Sequence, residues 1–241
     1  MGGNVSIARV AVVSGAVVLA AALSVLPVGV AGAQTPSTFV TIPSVNATVS
    51  ATSQLVDAWA SNGVTKVQYE ITGGTLTDSV IATGTPTIYG WLAAWNTTTV
   101  ANGTYNLQSV ATSNGVSGTS APITITVNNP PPSTSVIIPA SDADAGNDDQ
   151  GLLFDAVASQ GVTSVSIWTN YDRDPGLITA VPTIYGWIVQ MPPVNLCSAG
   201  CVTGSLPLSV YAVASYPNGL SGTSPTVNAT YEETIPGGRG S

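Results

Sequence analysis

A duplication constrains the fold of this chain more than any other feature of its sequence. The segment Pro86–Trp91, Pro-Thr-Ile-Tyr-Gly-Trp, is repeated without change as Pro182–Trp187, and four other segments recur in the same order. The other matched segments begin at Val40 and Val136, Leu55 and Leu153, Gly63 and Gly161, and Gly115 and Gly219. Ordered matches at a nearly constant offset indicate two copies of one structural unit, so the sequence predicts two tandem modules.

Each copy has the pattern of short β-strands. Residues of opposite character alternate over Leu55–Ala60, Val67–Ile71, Tyr105–Ser109 and Ile123–Val127, which is the period of a half-buried strand. Thr and Val favour strands, and the frequent Gly, Asn and Pro favour the turns between them. Helical periodicity is absent after the first thirty-odd residues. The sequence therefore predicts an all-β protein in which each copy is an antiparallel sandwich of seven strands.

Residues 1–33 are predicted to be a secretory signal peptide. Arg9 precedes a long apolar run that ends in Ala31-Gly32-Ala33, a small-x-small cleavage pattern. The alternative is a retained membrane anchor, because the apolar run is nearly long enough to span a bilayer. We expect cleavage, and therefore a chain that is secreted, or associated with the cell wall, and makes no membrane contact afterwards.

The remaining residues divide into two modules, a linker and a tail. Residues 34–129 form the first module and residues 134–233 the second. Between them, residues 130–133 read Pro-Pro-Pro-Ser. Consecutive prolines favour a stiff extended segment, so we expect the modules to be held apart as a rod. Residues 234–241 are rich in glycine and are predicted to be disordered.

The charge of the chain excludes several classes of function. Four Lys and Arg residues stand against twelve Asp and Glu, the net charge is −8, and there is no histidine. Such a chain cannot neutralise a phosphate backbone, so nucleic acid and anionic lipid surfaces are poor partners. Nucleophile–base pairs that need histidine cannot be assembled either. We predict no enzymatic activity, and no nucleotide or other cofactor motif is present.

Two cysteines, Cys197 and Cys201, enclose a short loop in the second copy. In an exported protein an even number of cysteines predicts a disulfide bond. A metal or redox pair is the alternative, but without histidine a zinc site would lack ligands.

The order of motifs resembles bacterial immunoglobulin-like domains of exported proteins. The resemblance rests on Val-x-Ile-Pro, Val-x-Ala-x-Ala, Gly-Val-x-x-Val-x-Tyr, a tryptophan, and Asn-Gly-Thr-Tyr-x-Leu at Asn102–Leu107. It implies tandem immunoglobulin-like, or fibronectin-like, sandwiches, with Tyr105 at the corner position of that fold. The second copy departs from the pattern, since Gly204–Leu208 contains no tyrosine.

The same resemblance implies a structural, spacer or adhesive role at or outside the cell envelope. The partner would be an envelope component, either protein or glycan. The alternative function is that of a carbohydrate-binding module. Because one fold serves many functions, the resemblance does not identify a ligand.

Aromatic residues are the first candidates for a binding surface. Trp168 falls on the outward side of its strand, where the first copy has Glu70, and with Tyr171 it would form an exposed ligand-binding pair. Packing of Trp168 against a neighbouring loop is the alternative. The duplicated motifs Tyr89-Gly-Trp91 and Tyr185-Gly-Trp187 are instead expected to lie in the core, and stacking of their rings on sugars is the alternative.

Acidic residues are the second candidates. Asp142, Asp144, Asp148 and Asp149 lie within eight residues of one another, and Asp172 and Asp174 are expected nearby. Hard oxygen ligands on a flexible loop suit calcium, so a calcium-shaped tip at the free pole of the second module is one hypothesis. A solvated acidic loop is the alternative. The duplicated Asp57 and Asp155 are interpreted as a solvated strand face or as turn caps.

Overall fold

The computed structural model describes residues 34–147, 150–171, 176–193 and 201–236, with the backbone alone at 201–202 and 235–236. The predicted signal peptide and the last five residues of the predicted tail lie outside these ranges. In the described part of the chain, no helix is long and apolar enough to cross a membrane.

The first module contains ten strand segments arranged in two sheets. They are β1 (Thr38–Ile42), β2 (Thr48–Val49), β3 (Gln54–Ala60), β4 (Lys66–Gly73), β5 (Leu76–Thr83), β6 (Thr85–Pro86), β7 (Trp91–Trp95), β8 (Gly103–Ser113), β9 (Val116–Thr119) and β10 (Ile123–Val127), with a 3-10 turn at Thr97–Thr99. Sheet I has the order β1-β3-β7-β6. Sheet II has the order β2-β10-β8-β4-β5, and β9 pairs with β8.

The second module repeats this architecture in the residues that are described. Its strands are β11 (Thr134–Ile138), β12 (Asp144–Asn147), β13 (Leu153–Ala158), β14 (Ser164–Thr169), β15 (Gly176–Thr179), β16 (Val181–Pro182), β17 (Trp187–Gln190), β18 (Cys201–Ser215), β19 (Ser221–Thr223) and β20 (Val227–Pro236). Its sheet I is β11-β13-β17-β16 and its sheet II is β12-β20-β18-β14-β15, with β19 on β18. The chain is thus two tandem immunoglobulin-like sandwiches, as predicted. Three residues of the predicted tail, 234–236, belong to β20.

Two of the three strand segments beyond seven in the first module arise at prolines, and the third arises where the chain passes from sheet II to sheet I at Gly84, between β5 and β6. The first strand leaves sheet I at the cis peptide bond Ile42-Pro43 and joins sheet II as β2, which pairs in parallel with β10. The last strand is interrupted between β9 and β10, where Pro122 lies. Because proline has no N–H to donate, it removes one bond from a strand ladder, and at these two positions the chain changes partner or the strand is interrupted.

The core lies between the two sheets and follows the predicted alternation. Val67, Tyr69 and Ile71 of β4 point inward, whereas Gln68 and Glu70 between them are only half-buried. Separate clusters of buried side chains fill the first and the second module. Each module therefore has a hydrophobic core of its own.

The corner tyrosine implied by the family resemblance is present in the first module. The Tyr105 hydroxyl donates a 2.8 Å hydrogen bond to the backbone oxygen of Ala101, four residues upstream. The register of β8 with β4 and of β18 with β14 places Leu208 at the corresponding position of the second module. That module therefore forms its sandwich without this bond.

The connection between the modules is bonded to the first module through Asn129. This residue is buried, and its side-chain amide donates to the Thr97 backbone oxygen at 3.0 Å and accepts from Thr97 Oγ1 at 2.6 Å. The Asn129 backbone N–H donates to Asn102 Oδ1 at 2.8 Å. The linker thus begins at a fixed position on the first module.

The other end of the connection is fixed on the second module. Pro132 is buried, and its backbone oxygen lies so close to Gly222 that an added Cβ would come within 1.9 Å of it. The Asn218 side chain donates to the Val100 backbone oxygen at 2.8 Å, and the Asn218 N–H donates to the Thr98 oxygen at 3.3 Å. The modules are therefore joined by side-chain and backbone hydrogen bonds as well as by the prolines.

Candidate interaction surface

The predicted pair of Trp168 and Tyr171 does not form. Tyr171 is only 2% exposed and packs edge-on against Tyr231 in the core, with ring centroids 5.2 Å apart. Strand β14 ends at Thr169, and the Thr169 hydroxyl accepts a 3.1 Å hydrogen bond from the Tyr171 N–H. Val165, Ile167, Thr169 and Tyr171 are all buried. The alternation that places Trp168 outward therefore places Tyr171 inward, and assigning Tyr171 to the surface was wrong.

Trp168 stacks instead on Tyr211, which lies directly opposite it on β18. The ring centroids are 5.1 Å apart and the planes differ by 13°. Sequence reasoning missed Tyr211, although the buried neighbours Val210 and Ala212 mark its outward position. Because each ring covers one face of the other and both side chains are half-buried, the pair forms a stacked ridge, not a flat platform.

The duplicated hairpin between β6 and β7, and between β16 and β17, presents its tip to solvent. Ile88 and Tyr89 are 92% and 78% exposed, and Ile184 and Tyr185 are 91% and 77% exposed. Only the following tryptophans, Trp91 and Trp187, pack against the cores. The expectation that this aromatic motif lies in the core is therefore confirmed in part for the tryptophans, which are half-buried, and is wrong for Tyr89 and Tyr185.

A threonine organises each tip. The Thr87 hydroxyl accepts hydrogen bonds from the Tyr89 and Gly90 N–H groups at 3.1 and 3.2 Å, and the Thr87 N–H donates to the Gly90 oxygen at 2.8 Å. Thr183 makes the same bonds in the second module, at 3.1, 3.2 and 2.7 Å. A hydroxyl that caps its own turn in this way holds the tip in one conformation.

Glycine is required beside each tip because a buried carboxylate lies against it. Gly90 has φ +153°, and a Cβ there would come within 2.4 Å of Asp57 Oδ1; at Gly186, with φ +157°, the distance to Asp155 Oδ1 would be 2.3 Å. Both carboxylates are buried, so the interpretation as a solvated strand face was wrong. Asp57 Oδ2 accepts a 2.7 Å hydrogen bond from Thr41 Oγ1.

Tyr69 connects this arrangement to sheet II in the first module. Its ring is in the core, and its hydroxyl donates to the Trp91 backbone oxygen. Burial, and next the nearby Asp57 carboxylate, raise the pKa of Tyr69 well above its ordinary value. Tyr69 is therefore a neutral hydrogen-bond donor, and the second module has Ile167 at the same register position.

Charge is segregated between the two sheets in the part of the chain that the structure describes. Among the sheet I strands of both modules, the only ionisable side chains are the buried Asp57 and Asp155. The other charged residues of the described strands belong to sheet II: Lys66, Glu70, Asp78, Asp144, Glu232 and Glu233. Asp57 and Asp155 are covered by Gly90 and Gly186, so the exposed part of the outer face of sheet I carries no charge.

The predicted disulfide and calcium site remain predictions. Cys197, Asp148, Asp149, Asp172 and Asp174 lie outside the described residues, and only the backbone of Cys201 is described. Of the other proposed calcium ligands, Asp142 and Asp144 are both exposed, and Asp144 Oδ1 accepts a hydrogen bond from the Gly146 N–H at 3.0 Å. Within the described ranges, no group of three or more metal-ligating side chains occurs.

No protein-family model matches the chain, and no curated protein matches it. Among solved structures, it is similar to the fibronectin(III)-like modules of Clostridium thermocellum CbhA, with 18% identity over 83% of this chain and 94% of that one and a TM-score of 0.30. The Yersinia pseudotuberculosis adhesin InvE matches with 16% identity over 81% of this chain and 58% of that one, TM-score 0.34. Immunoglobulin domains 1–5 of Sidekick-1 match with 13% identity over 84% and 39%, TM-score 0.33. Such similarities say nothing about function, and the immunoglobulin-like fold rests on this chain's own strand order.

Proposed function

We propose that this chain is a non-catalytic structural or adhesive element that acts at or outside the cell envelope. The observation that carries the proposal is the junction, in which Asn129 fixes the linker to one module and Asn218 bonds the other module to the same loop. Two sandwiches with separate cores need no such bonds in order to fold. Bonds of this kind instead keep the modules in a defined relation, which suits a spacer or a display element.

The sequence supports the same compartment and the same lack of catalysis. An apolar segment with a cleavage pattern precedes the modules, as in bacterial immunoglobulin-like domains of exported proteins. The chain has no histidine, and its single lysine, Lys66, is an exposed residue of sheet II. The buried carboxylates Asp57 and Asp155 support hairpins, which is a structural role.

Two measurements on the producing cell test the location. We expect the chain in the medium or in the envelope fraction, with Gln34 as its first residue. Recovery of an uncleaved chain from the cytoplasm would contradict the proposal. Crosslinking on intact cells, followed by isolation of the crosslinked envelope component, then identifies the partner class as protein or glycan.

Small-angle scattering on the chain from Gln34 onward tests the junction. The wild-type profile should fit a single arrangement of two modules. Asn218→Ala removes the bonds from its side chain and should broaden the distribution of arrangements, whereas Asn106→Ala, on the exposed face of β8, should not. An unchanged profile for Asn218→Ala would show that the junction does not depend on these contacts.

A carbohydrate-binding module is the second candidate, favoured by the Trp168–Tyr211 ridge on sheet II. Sugars stack on exposed aromatic faces, and both rings of this pair are partly exposed. A glycan array with the wild type and Trp168→Ala tests this function, with Glu70→Ala as the control at the matched position of the first module. Trp187→Ala is less suitable, because Trp187 packs against the core and its loss would disturb the fold.

A further inference from the structure

Most of the large apolar side chains that the structure leaves exposed lie on sheet I. In the first module they are Phe39, Ile42, Leu55 and Trp59, and in the second Ile137, Ile138, Leu153, Val157 and Val181. The two hairpin tips, which extend from the same sheets, add an isoleucine and a tyrosine each. Exposed apolar residues gathered on one sheet make it a candidate interaction face.

The exposed residues of the hairpin tips indicate that the apolar face of sheet I has a function. Of the six residues repeated without change, Thr87, Gly90 and Trp91 have contacts within the module that explain why they are kept, and Pro86 pairs with Trp91. Ile88 and Tyr89 have no comparable packing, since both point into solvent. Two copies that differ at many other exposed positions have kept this pair, which is consistent with a role outside the module.

The distribution of charge favours a second copy of this chain as the occupant. Each chain carries a net charge of −8, so two copies repel one another at most orientations. Contact through sheet I reduces this repulsion, because the sheet I carboxylates Asp57 and Asp155 are buried and the other charged residues of the described strands lie on sheet II. With a spacing of about 10 Å between packed sheets, the two acidic sheets would be about 30 Å apart, well beyond a Debye length of about 8 Å.

The outer faces of sheet I also differ in shape between the two modules. The register of β1 with β3 and of β11 with β13 aligns Trp59 with Val157 and Phe39 with Ser135. In the first module, Phe39 and Trp59 stack with ring centroids 5.4 Å apart and form a raised aromatic ridge. The second module has small side chains at these positions. A ridge fits against the lower surface better than against another ridge, so the first module of one chain matches the second module of another.

The size of each face determines how many contacts are needed. Three strands of four to seven residues cover about 15 by 20 Å, or roughly 300 Å². A stable interface buries about 800 Å² on each partner, so one such contact is too small. A two-fold pairing in which both sheet I faces of each chain meet the partner would make the same contact twice and, with the hairpin tips, would approach the required area. We propose that sheet I is a self-association surface, through which the first module of one chain packs on the second module of a second copy.

Sedimentation equilibrium on the chain from Gln34 onward tests the proposal over about 1 μM to 1 mM. We expect a monomer–dimer equilibrium. Leu55→Asp combined with Val157→Asp places a carboxylate on both faces and should raise the dissociation constant by at least about 100-fold. Val80→Asp is the matched control, because Val80 is an equally exposed valine on sheet II. Circular dichroism and melting temperature establish that each variant is folded.

A second experiment tests which faces meet. A chain with Leu55→Asp and a chain with Leu153→Lys should each dimerise weakly alone, while their mixture should associate at least about 10-fold more tightly. A wild-type dimer without this recovery would overturn the pairing of first with second module. A chain that stays monomeric at 1 mM would overturn self-association altogether. Monomers that bind neutral vesicles or glycans through the same residues would assign sheet I to those partners instead.

Discussion

The two modules share a topology but distribute their aromatic volume differently. In the core of the first module the large side chains are Tyr69, Trp95 and Tyr105, and in the second they are Phe154, Tyr171 and Tyr231. By strand register, Tyr105 corresponds to Leu208, which is smaller, while Val127 corresponds to Tyr231, which is larger. Sandwich cores tolerate such exchanges provided that total volume and pattern are kept.

The same comparison separates positions that are free to change from positions that are not. On sheet II, the cross-strand pair Glu70–Gln108 of the first module, bonded at 3.2 Å, is replaced by the stacked Trp168–Tyr211 in the second. The hairpin between β6 and β7, by contrast, is the same in both, down to its threonine cap and the carboxylate behind its glycine. A residue that is exposed to solvent is therefore not always one that differs between the two modules.

The largest expected effect is the loss of a core aromatic. Trp95→Ala should destabilise the first module by about 4 kcal/mol, because Trp95 is buried and its removal leaves a cavity. The aligned Met191 is only partly buried, so Met191→Ala should cost the second module about 1 kcal/mol. Urea denaturation followed by tryptophan fluorescence and circular dichroism measures both. Equal losses would show that the two cores do not differ as described.

Gly90→Ala and Gly186→Ala should destabilise their modules equally, by about 3 kcal/mol each. In both, the new Cβ would meet a buried carboxylate and a backbone oxygen at 2.9 Å, at a φ that side chains rarely adopt. Gly115→Ala is the control, because a Cβ at Gly115 has no atom within 4 Å although its φ is also positive. A small effect at Gly90 with a large one at Gly186 would mean that the hairpins are not equivalent.

The Tyr69→Phe variant tests, in alkaline solution, a buried hydroxyl that the first module has and the second module, with Ile167 at this position, lacks. Because the pKa of Tyr69 is raised on folding, the unfolded chain loses its proton first, and stability falls as the pH rises above the ordinary tyrosine value of 10.0. The variant should lose about 1 kcal/mol near neutral pH, through the lost bond to Trp91, and fall less steeply above pH 10. Melting temperatures between pH 8 and 12 measure this. The exposed Tyr89→Phe should follow the wild type, and an unchanged slope for Tyr69→Phe would contradict the assignment.

The smallest expected difference in stability is between the two cross-strand pairs on sheet II, Trp168–Tyr211 and Glu70–Gln108. Trp168→Ala should cost about 1 kcal/mol, because it removes a stacked aromatic neighbour. Glu70→Ala should change the free energy of unfolding by less than about 0.5 kcal/mol, since its bond to Gln108 lies near solvent. Chemical denaturation distinguishes the two, and a neutral Trp168→Ala would mean that the stack contributes nothing to stability.

The strands and their inward faces could be predicted because local alternation encodes them. Val56 and Ala58, or Val67 and Ile71, are apolar at every second position, and a sheet with one buried face needs no other signal. Tyr105 was also predictable, because the residues around it resemble a known corner. Tyr171 could have been predicted as well, because it has the same parity as the buried Val165 and Ile167, and pairing it with Trp168, three residues earlier, went against that parity.

The sequence by itself determined the duplication, the all-β class and the alternation of each strand, because these depend on residues that are neighbours along the chain. Only the tertiary structure decided which of the outward-pointing residues are covered and which remain exposed to solvent. Asp57 lies on the outward side of β3 and is buried because a hairpin some thirty residues later places Gly90 over it. Tyr89, in that hairpin, is exposed because the Thr87 hydroxyl turns the chain outward before Trp91 returns to the core. Such outcomes depend on contacts between residues that are distant in sequence, and no local pattern records them.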